Sequence, residues 1–594
     1  MKKILLLAIV FWGLLAPLTY HPDTKLTLRY PALENGKVWD VYGYLATHKL
    51  DVPDFHYPPA HYWWLKIHYP ISKLIGGTGF DQWLTSGSAQ AAFNTEVMKY
   101  NLAAKFPLLL LGLISGWLIF KIVKRETKNL NKAKLATLFW YFNPITLYSL
   151  VIMGQNDIVA IFLFLLGIWW IDRWWLMALF WGLAAGVKNY PLIWAIMFLI
   201  VQEKKIFKLI LKMGSVFLIY LIIMLPWLGK DYFVQAVLNS GLSQRMFLAD
   251  ISIGFGKEIL IVPLLLVFLA VTAFFKNYKE KIGQGSLLVF KSCLIILAFS
   301  HFNPQWMLWL IPFFSIWFFS KERKGKEWVP LIIIFIAWLL LTLAFDDRFL
   351  VWGLLTPINP NLINFPSLVE FLKNKEIDFS KLINLAQTIL AGISLWYLTR
   401  KEKTRKEKIK EIKSRNYLVF IPWILVTLLV LLMINLKVEK RIDSNLSGES
   451  IPLADVFDKE MSYEIQGNLK YIEISLDKNK EGFQDNGELT ISDERGNEFK
   501  KEFTSYNAQI NGWLRIDIPK EMSESSILNL RLNDVLAEDE ELKVKLDDEN
   551  RWATNFFYYG KVSKTEIVNK LFKLWWWWLI VAGISVFYIK TKED

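Results

Sequence analysis

The sequence predicts a polytopic α-helical membrane protein with a β domain inserted before its last hydrophobic segment. The first observation is composition, since 54% of the 594 residues are hydrophobic and 15% are aromatic. The second is the recurrence of apolar runs, because about 20 such residues cross roughly 30 Å of hydrocarbon. The third is an acidic stretch near the C-terminal end, in which apolar and polar residues alternate as they do in strands.

The apolar runs number about fourteen and define the predicted spans. They lie at 4–20, 102–120, 135–152, 158–171, 174–187, 190–201, 209–228, 258–275, 286–300, 304–319, 329–345, 382–398, 417–436 and 574–590. The first run follows Lys2 and Lys3 and lacks a convincing small-residue cleavage site, so we expect an uncleaved span.

Lys and Arg concentrate in alternate connections between these runs, which predicts the orientation of the chain. The richest connections are 121–134, 276–281, 321–326 and 400–415. Basic loops stay on the cytoplasmic side because Lys and Arg translocate poorly. We therefore expect an integral, multi-pass protein of the plasma (cytoplasmic) membrane, with the first long loop and the β insert on the outer face. These loops account for the formal net charge of +13, so we expect no nucleic-acid partner.

The remaining composition excludes several classes of function. Cys293 is the only cysteine, so the chain has no internal disulfide framework and no cysteine-based metal site. The short basic loops contain no Gly-rich phosphate-binding motif, which disfavours an ATP-driven pump.

The acidic stretch predicts a separate domain. Between Val438 and Lys570 there are 28 acidic and 18 basic residues. The alternating runs at 471–476, 487–493, 513–518 and 528–534 are typical of half-buried strands. We therefore predict a β-sandwich. The expected organisation is a main apolar domain at 1–400, a basic loop and one span at 401–436, the outer β-sandwich at 437–573, and a final span with a tail at 574–594.

The first outer loop, 21–101, is the richest in polar and aromatic residues. It contains HPD at 21–23, Asp40, and FHYPPAHYWW at 55–64. Most of its aromatic residues suit the membrane interface, and a lone loop carboxylate is more often a turn or cap residue than a base. A carboxylate in this setting can also act as a general base.

Four further polar groups lie at the predicted outer ends of spans. They are GQND at 154–157, Lys188, His301 with Gln305, and DDR at 346–348. Asn156 and Asp157 suit helix capping, and Lys188 could snorkel to the interface. Taken together, a carboxylate and several cations on one face suit transfer of a group from a phosphate leaving group.

These motifs resemble the GT-C superfold of integral membrane glycosyltransferases, most closely the bacterial polyprenol-phosphate-mannose-dependent mannosyltransferases. The resemblance covers roughly residues 1–400. It rests on Asp40-Val-Tyr42 with Tyr57-Pro58-Pro59, on Gly154-Gln155, on Gly186-Val-Lys188 with Pro191-Leu192, and on Asn303-Pro304-Gln305-Trp306. It implies inverting transfer of a sugar, with mannose expected, from a polyprenyl-phosphate donor to an acceptor hydroxyl on the outer face.

The resemblance also implies roles for individual residues. Asp40 best matches the family's carboxylate base, while His21-Pro22-Asp23 resembles the His-Pro-Asp of eukaryotic relatives, so Asp23 stays an alternative. The implied phosphate ligands are Lys188, His301 and Arg348, and the implied substrate-binding residues are His56, Tyr57, His61, Trp63, Gln155, Asn156, Asp157 and Gln305. No metal or other cofactor is expected. The expected partners are the lipid-linked donor, a glycolipid or glycan acceptor, and membrane lipids.

Two functions from other classes stay open. A lipid or solute transporter or flippase would carry internal repeats and ionisable residues at mid-membrane in broken helices, and the sequence shows no clear repeat. A noncatalytic protein that displays the β domain would need only one or two spans.

Overall fold

The computed structural model divides the chain into two compact units. The first contains Met1–Ile358, Ser367–Val430 and Asn569–Asp594, and the second contains Asn359–Pro366 and Leu431–Val568. The residues that the structure describes are 1–48, 55–86, 91–92, 94–240, 244–278, 280–321, 328–344, 350–360, 362, 369, 380–400, 416–435, 440–442, 446–452, 459–465, 469–478, 486–504, 513–536, 542–547, 551–558 and 564–591.

The first unit is built mainly from helices. Its α-helices are Lys2–Leu15, Pro22–Ala32, Val41–His48, Pro59–Gly76, Phe80–Thr85, Val97–Thr127, Leu130–Phe142, Pro144–Thr146, Asp157–Trp169, Trp174–Val187, Pro191–Gln202, Ile206–Met224, Asp231–Phe233, Ile261–Phe274, Lys281–Phe299, Leu310–Ser320, Val329–Ala344, Ser380–Thr399, Phe420–Asn435 and Trp575–Lys590. Lys564–Phe572 forms a further helix that leads into the last one. Shorter turns of 3₁₀ helix occur at Leu33–Gly36, Arg245–Phe247, Pro304–Trp309, Trp352–Leu355 and Asn416–Val419.

Every predicted apolar segment contains a helix. Within the described part of the chain, five helices are long and apolar enough to cross a membrane: Val97–Thr127, Ile206–Met224, Lys281–Phe299, Lys381–Thr399 and Asn416–Met433. A sixth crossing follows if one bent pair of helices counts as a single span. Six further apolar helices have only 10–17 residues. The structure thus has the character of a membrane protein, and the fourteen spans stay a prediction.

The bent pair consists of Leu130–Phe142 and Pro144–Ile152, whose axes differ by 44°. The bend follows from Asn143-Pro144, since proline cannot continue the helix that precedes it. Asn143 stabilises the restart, because its Oδ1 accepts a hydrogen bond of 2.9 Å from the Ile145 N–H. The second half ends as a π-helix at Leu147–Ile152. This segment delivers the chain to Gly154 and the polar residues that follow it.

Small residues bring the central helices close together. Gly116 lies in the middle of Val97–Thr127, and a Cβ atom there would stand 2.2 Å from the ring of Tyr141. The same tyrosine is buried and donates from its hydroxyl to the Leu113 carbonyl at 2.7 Å. The contact between these two helices therefore depends on the absence of a side chain at position 116.

The second unit contains antiparallel sheets. Its strands are β3 (Lys440–Ile442), β4 (Leu446–Pro452), β5 (Glu460–Glu464), β6 (Leu469–Lys478), β7 (Asn486–Asp493), β8 (Glu498–Thr504), β9 (Trp513–Asp517), β10 (Ile527–Leu536), β11 (Leu542–Asp547) and β12 (Thr554–Tyr558), and the first unit holds β1 (Asp250–Gly254) and β2 (Lys257–Leu260). One sheet has the order β5-β10-β7-β8, and the other has β3-β12-β6-β11-β4 with β9 paired to β6.

Buried side chains from both sheets of the second unit belong to one hydrophobic cluster. Ile472 and Ile516 come from one sheet, and Ile491 and Leu530 come from the other. Each of the four predicted strand runs contains a strand, and the β7–β8 turn has Gly496 at φ +81°, where glycine carries no steric cost. The β-sandwich itself stays an interpretation that this shared cluster supports.

We predict that Gly116→Ala destabilises the protein by about 1–3 kcal/mol, because the added methyl group overpacks the contact with Tyr141. The matched control is Gly214→Ala in the helix Ile206–Met224, where nothing lies within 4 Å of the new Cβ atom. Thermal unfolding in detergent micelles should show a lower Tm for the first variant. The control should equal or exceed the wild type, since alanine is the better helix former. Equal Tm values for the two variants would contradict the close packing.

Candidate active site

A buried ion pair forms the centre of the candidate site. Asp157 is fully buried at the start of the helix Asp157–Trp169, and its Oδ2 lies 2.9 Å from the Nζ of Lys188. Its other oxygen, Oδ1, accepts hydrogen bonds from the Tyr190 hydroxyl at 3.0 Å and from the Trp309 indole N–H at 2.7 Å. Both carboxylate oxygens are therefore satisfied, as a buried charge requires.

The local sequence explains why Lys188 reaches this position. The helix Trp174–Val187 ends where Lys188 adopts an extended conformation, and a new helix begins at Pro191, which is favoured at a first helical position. The end of this helix also packs closely against two neighbouring helices, because a Cβ atom at Gly186 would stand 2.7 Å from Ile223 and 3.1 Å from Ala60. The break between two helices thus turns a basic side chain inward rather than outward to the interface.

Two aromatic side chains from the first loop cover the ion pair. The Nζ of Lys188 lies 5.0 Å from the centre of the Tyr57 ring, which is a cation–π contact. Tyr57 stacks on His61 with ring centres 4.3 Å apart. Burial, together with the nearby Lys188 cation, lowers the pKa of His61 to about 3. His61 is therefore neutral near pH 7, and neither ring nitrogen has a side-chain partner within the described residues.

Asp23 lies beside this group and is the more accessible of the two predicted bases. It follows His21, whose Nδ1 accepts a hydrogen bond from the Asp23 N–H at the start of the helix Pro22–Ala32. Gln155 donates from Nε2 to the Oδ2 of Asp23 at 3.1 Å. The side chain of Asp23 is 41% exposed, and it is close enough to interact electrostatically with Lys188 and Tyr57.

Asn156 and Asp157 do not cap the helix that they begin, so that interpretation is wrong. No side-chain cap is formed at this helix start. Asn156 instead accepts from the Trp64 indole N–H at 3.0 Å and donates to the Thr27 hydroxyl at 3.1 Å. Both residues are used to connect helices, because each has partners far away in the chain.

Asp40 belongs to a neighbouring group of residues. Its Oδ1 accepts from the Trp227 indole N–H at 3.0 Å and from the Gly43 N–H at 3.1 Å, and its Oδ2 accepts from the Tyr232 hydroxyl at 2.9 Å. The carboxylate therefore caps the helix Val41–His48 and also connects the first loop to the segment around Trp227. The two groups are linked, since Tyr42 donates to the Tyr57 carbonyl at 2.5 Å.

The other first-loop candidates contact the same neighbouring segment. His56 interacts through Nδ1 with the Ala236 carbonyl at 2.9 Å. The ring centre of Trp63 lies 6.4 Å from that of Trp227, and 36% of Trp63 is exposed. Trp63 therefore has the accessible face that stacking on a sugar ring would need, whereas His56 is already engaged.

The structure does not describe every predicted phosphate ligand. Arg348 lies outside the described residues. His301 lies at the surface of the protein. Its ring is partly desolvated and lies near the Arg245 guanidinium, and both effects lower its pKa. Gln305 is buried in the turn that carries Trp309, and its Oε1 has no partner among the described residues.

His301 also lines a cavity of about 620 Å³ whose walls are mostly apolar. The lining residues are Leu248, Ala249, Ala298, Phe299, Ser300, His301, Phe302, Pro304, Leu341, Ala344, Ile383, Asn384 and Gln387. Within the described part of the chain, no group of three or more His, Cys, Asp or Glu residues could hold a metal ion.

Three important residues were assigned no role from the sequence. Tyr190 lies inside the motif at 186–192, and Trp309 lies three residues after the motif at 303–306. Their contacts with Asp157 span 33 and 152 positions of the chain. Lys105 was not singled out at all, although it lies inside the predicted span 102–120. A basic residue within a span is a functional candidate by itself, so that signal was present in the sequence.

Lys105 is fully buried, and its partners among the described residues are neutral oxygen atoms. Its Nζ lies 3.0 Å from the Ala16 carbonyl, 2.6 Å from the Thr19 carbonyl, 2.8 Å from the Thr19 hydroxyl and 2.5 Å from the Ile152 carbonyl. Its side chain also packs against Gly154, where a Cβ atom would stand 2.9 Å from Cγ. Lys105 thus fixes the end of the first helix and the end of the bent helix just before Gln155.

Comparison with known proteins agrees with this picture. Residues 96–295 match the family model described as Glycosyltransferase family 87, a family of GT-C-type membrane glycosyltransferases. The match indicates a membrane glycosyltransferase. It covers about a third of the chain, including Lys105, Asp157, Lys188 and Tyr190, but it includes only residues 96–101 of the first outer loop and excludes Trp309. No curated protein and no solved structure matches the chain.

We predict that Asp157→Leu lowers the Tm strongly, because it leaves the Lys188 charge buried without its partner. Breaking a buried pair in this way costs about 3–5 kcal/mol. The double variant Asp157→Leu/Lys188→Met removes both charges and should recover much of the loss. Thermal unfolding of the two single variants and the double variant forms a double-mutant cycle. Additive effects of the two substitutions would contradict the ion pair.

We also predict that Lys105→Met destabilises the protein, since each buried acceptor left unsatisfied costs about 1–3 kcal/mol. Lys99→Met, a substitution of a half-buried lysine in the same helix, is the matched control. Proteolysis by trypsin under native conditions and thermal unfolding both measure the difference. A Tm for Lys105→Met as high as that of the control would show that the four contacts contribute little.

Proposed function

We propose that the protein transfers a sugar from a polyprenyl-phosphate donor to an acceptor hydroxyl at the membrane surface, by an inverting mechanism. The family match supports a glycosyltransferase. The observation that carries the finer proposal is the proximity of an accessible carboxylate, Asp23, to the buried cation of Lys188. Mannose is the sugar that the resemblance implies, and the acceptor is a glycolipid or a glycan.

In this proposal Asp23 is the base that removes the proton of the acceptor hydroxyl. Its Oδ2 accepts a hydrogen bond from Gln155, while Oδ1 has no partner among the described residues. An inverting reaction needs such an oxygen within hydrogen-bond reach of the acceptor. Asp40, the first choice from the resemblance, already accepts three hydrogen bonds. Asp40 then positions the loop, and it stays the alternative base.

Lys188 stabilises the negative charge that develops on the departing phosphate. An ammonium group has three N–H donors, and only one of them is used within the described residues, by Asp157. The cluster holds one cation and two carboxylates, so a bound phosphate needs further positive charge. We propose that Arg348 and Arg245 supply this charge, and that His301, whose pKa is lowered beside Arg245, contributes a hydrogen bond to the phosphate from its neutral ring.

The remaining candidates bind the sugar and the acceptor. His61 is neutral and buried, so it can exchange hydrogen bonds with sugar hydroxyl groups without a change of charge. Trp63 and Tyr57 offer ring faces for stacking. The side-chain carbonyl oxygen of Gln305 is free in the described structure. Asn156 and Gln155 instead connect the helices through their hydrogen bonds to Trp64 and Asp23. The apolar cavity beside His301 is the place that we assign to the first isoprene units of the donor.

A transporter is the alternative, and the bent helix next to a buried lysine is the observation that favours it. Lys105 is poorly suited to hold a cargo, because four oxygen atoms within 3.0 Å already surround its three N–H groups. A transport assay with the same labelled lipid in vesicles would detect this second function.

We predict that purified protein in lipid nanodiscs transfers radiolabel from polyprenyl-phosphate-mannose to acceptors in crude lipid and glycan extracts of the source cells. Asp23→Asn should lower the transfer rate by about 10²–10⁴, which is the usual contribution of a general base, and it should retain donor binding. Asp81→Asn is the control, because Asp81 lies in the same loop and pairs with Lys73 at the surface. The double variant Asp157→Leu/Lys188→Met should fold but transfer nothing.

Each alternative outcome has a distinct meaning. Loss in Asp40→Asn with activity kept in Asp23→Asn would move the base to Asp40. Loss of activity in EDTA, restored by a divalent cation, would overturn the expected metal independence. If the wild type binds no polyprenyl-phosphate sugar of any kind, the donor class is wrong.

A further inference from the structure

The hairpin β1–β2 presents an apolar face that no described part of the protein covers. Its register pairs Ile251 with Ile259, so these two residues share one face, and Ile253 follows two residues after Ile251 at the point where the register shifts. Their exposed fractions are 53%, 39% and 58%. Ser252 pairs with Glu258 on the opposite face. The hairpin is therefore amphipathic, and every residue of its first strand is exposed.

The tip of the hairpin carries a fully exposed phenylalanine in an unfavourable conformation. Phe255 lies between Gly254 and Gly256 in the turn, and its φ is +54°. Asn, Asp or Gly usually occupies such a position, because a bulky side chain is strained there. A large apolar side chain at this point has no structural advantage in water. It needs an apolar environment outside the folded chain.

The hairpin leads directly into a helix with an exposed apolar surface. Its base is closed by a hydrogen bond of 2.9 Å from the Ile261 N–H to the Ala249 carbonyl, and Ile261 begins the helix Ile261–Phe274. Leu264, Val267, Phe268 and Val271 of that helix are each at least 50% exposed. Their spacing of three to four residues makes one continuous apolar stripe.

The short helix and the open edges of the hairpin together favour a position at the bilayer surface. Its 14 residues extend about 21 Å, whereas the hydrocarbon layer is roughly 30 Å thick. A two-stranded hairpin has unpaired N–H and C=O groups along both outer edges, so it cannot lie within the hydrocarbon. At the headgroup level these edges are hydrated, while one face can still contact the acyl chains.

We propose that the β1–β2 hairpin is an interfacial membrane anchor, with Ile251, Ile253, Phe255 and Ile259 against the acyl chains and Ser252 and Glu258 toward the headgroups. The partner is the lipid of the adjacent leaflet. This proposal does not depend on the proposed function. Leu248 and Ala249, which precede the hairpin, line the apolar cavity beside His301, so the hairpin adjoins that cavity.

Site-directed fluorescence in nanodiscs that hold one protein each tests the anchor. Ile251→Cys, Ser252→Cys, Phe255→Cys and Glu258→Cys are labelled with the environment-sensitive dye NBD, and unlabelled Cys293 is protected because it is buried. Phosphatidylcholine with a nitroxide on carbon 5 of its acyl chain serves as the quencher. We expect blue-shifted, quenched emission at positions 251 and 255, and red-shifted emission with little quenching at 252 and 258.

Every other pattern overturns the proposal. Red-shifted, unquenched emission at all four positions places the hairpin in water. Equal quenching at all four positions means full immersion rather than an interfacial position. Blue-shifted emission without quenching means that protein, and not lipid, covers the apolar face. Variants that lose the wild-type Tm are replaced by Ile253→Cys and Asp250→Cys, which test the same two environments, because Asp250 lies two residues before Ser252 on the polar face.

Discussion

The ion pair between Asp157 and Lys188 is the constraint on which the rest of the helical unit depends. Two buried charges lose their hydration, and their mutual attraction compensates only when geometry is good and further hydrogen bonds satisfy both groups. Tyr190 and Trp309 provide these bonds to Asp157, and Tyr57 offers its ring to Lys188. The pair is thus stable only when four separate segments of the chain meet. The position of each segment is therefore fixed by the contact that it makes with the pair.

The same requirement explains the irregular helices around the site. The chain is bent at Pro144, ends in a π-helix and turns at Gly154, which has φ +70°. Such a segment exposes main-chain carbonyls that must find donors inside an apolar protein. Lys105 supplies donors to Ile152, and Thr24 donates to the Met153 carbonyl. The amino group of Lys105 is therefore used structurally, while Lys188 keeps donors for a ligand.

The arrangement also separates the two carboxylates of the first loop. Asp40 is bound by three donors, two of which come from the segment at 227–232, so its role is to join distant parts of the chain. Asp23 is held by one amide and is partly open. A general base must be accessible and must have a free carboxylate oxygen. A structural carboxylate is most stable when both of its oxygens accept hydrogen bonds.

The sequence by itself determined the class of the protein, because a long apolar run has few alternatives to a helix, and an alternating acidic run has few alternatives to a strand. It also identified Asp157, Lys188, His61 and Tyr57 as residues of interest. Their partnership could not be read from the sequence, since Asp157 and Lys188 lie in different helix ends and Tyr57 lies in the first loop, more than 90 positions before either of them. Only the tertiary structure decided that Asp157 binds Lys188 rather than capping its helix. Desolvation is the physical reason, because a buried carboxylate must take the strongest donors within reach, wherever they lie in the chain.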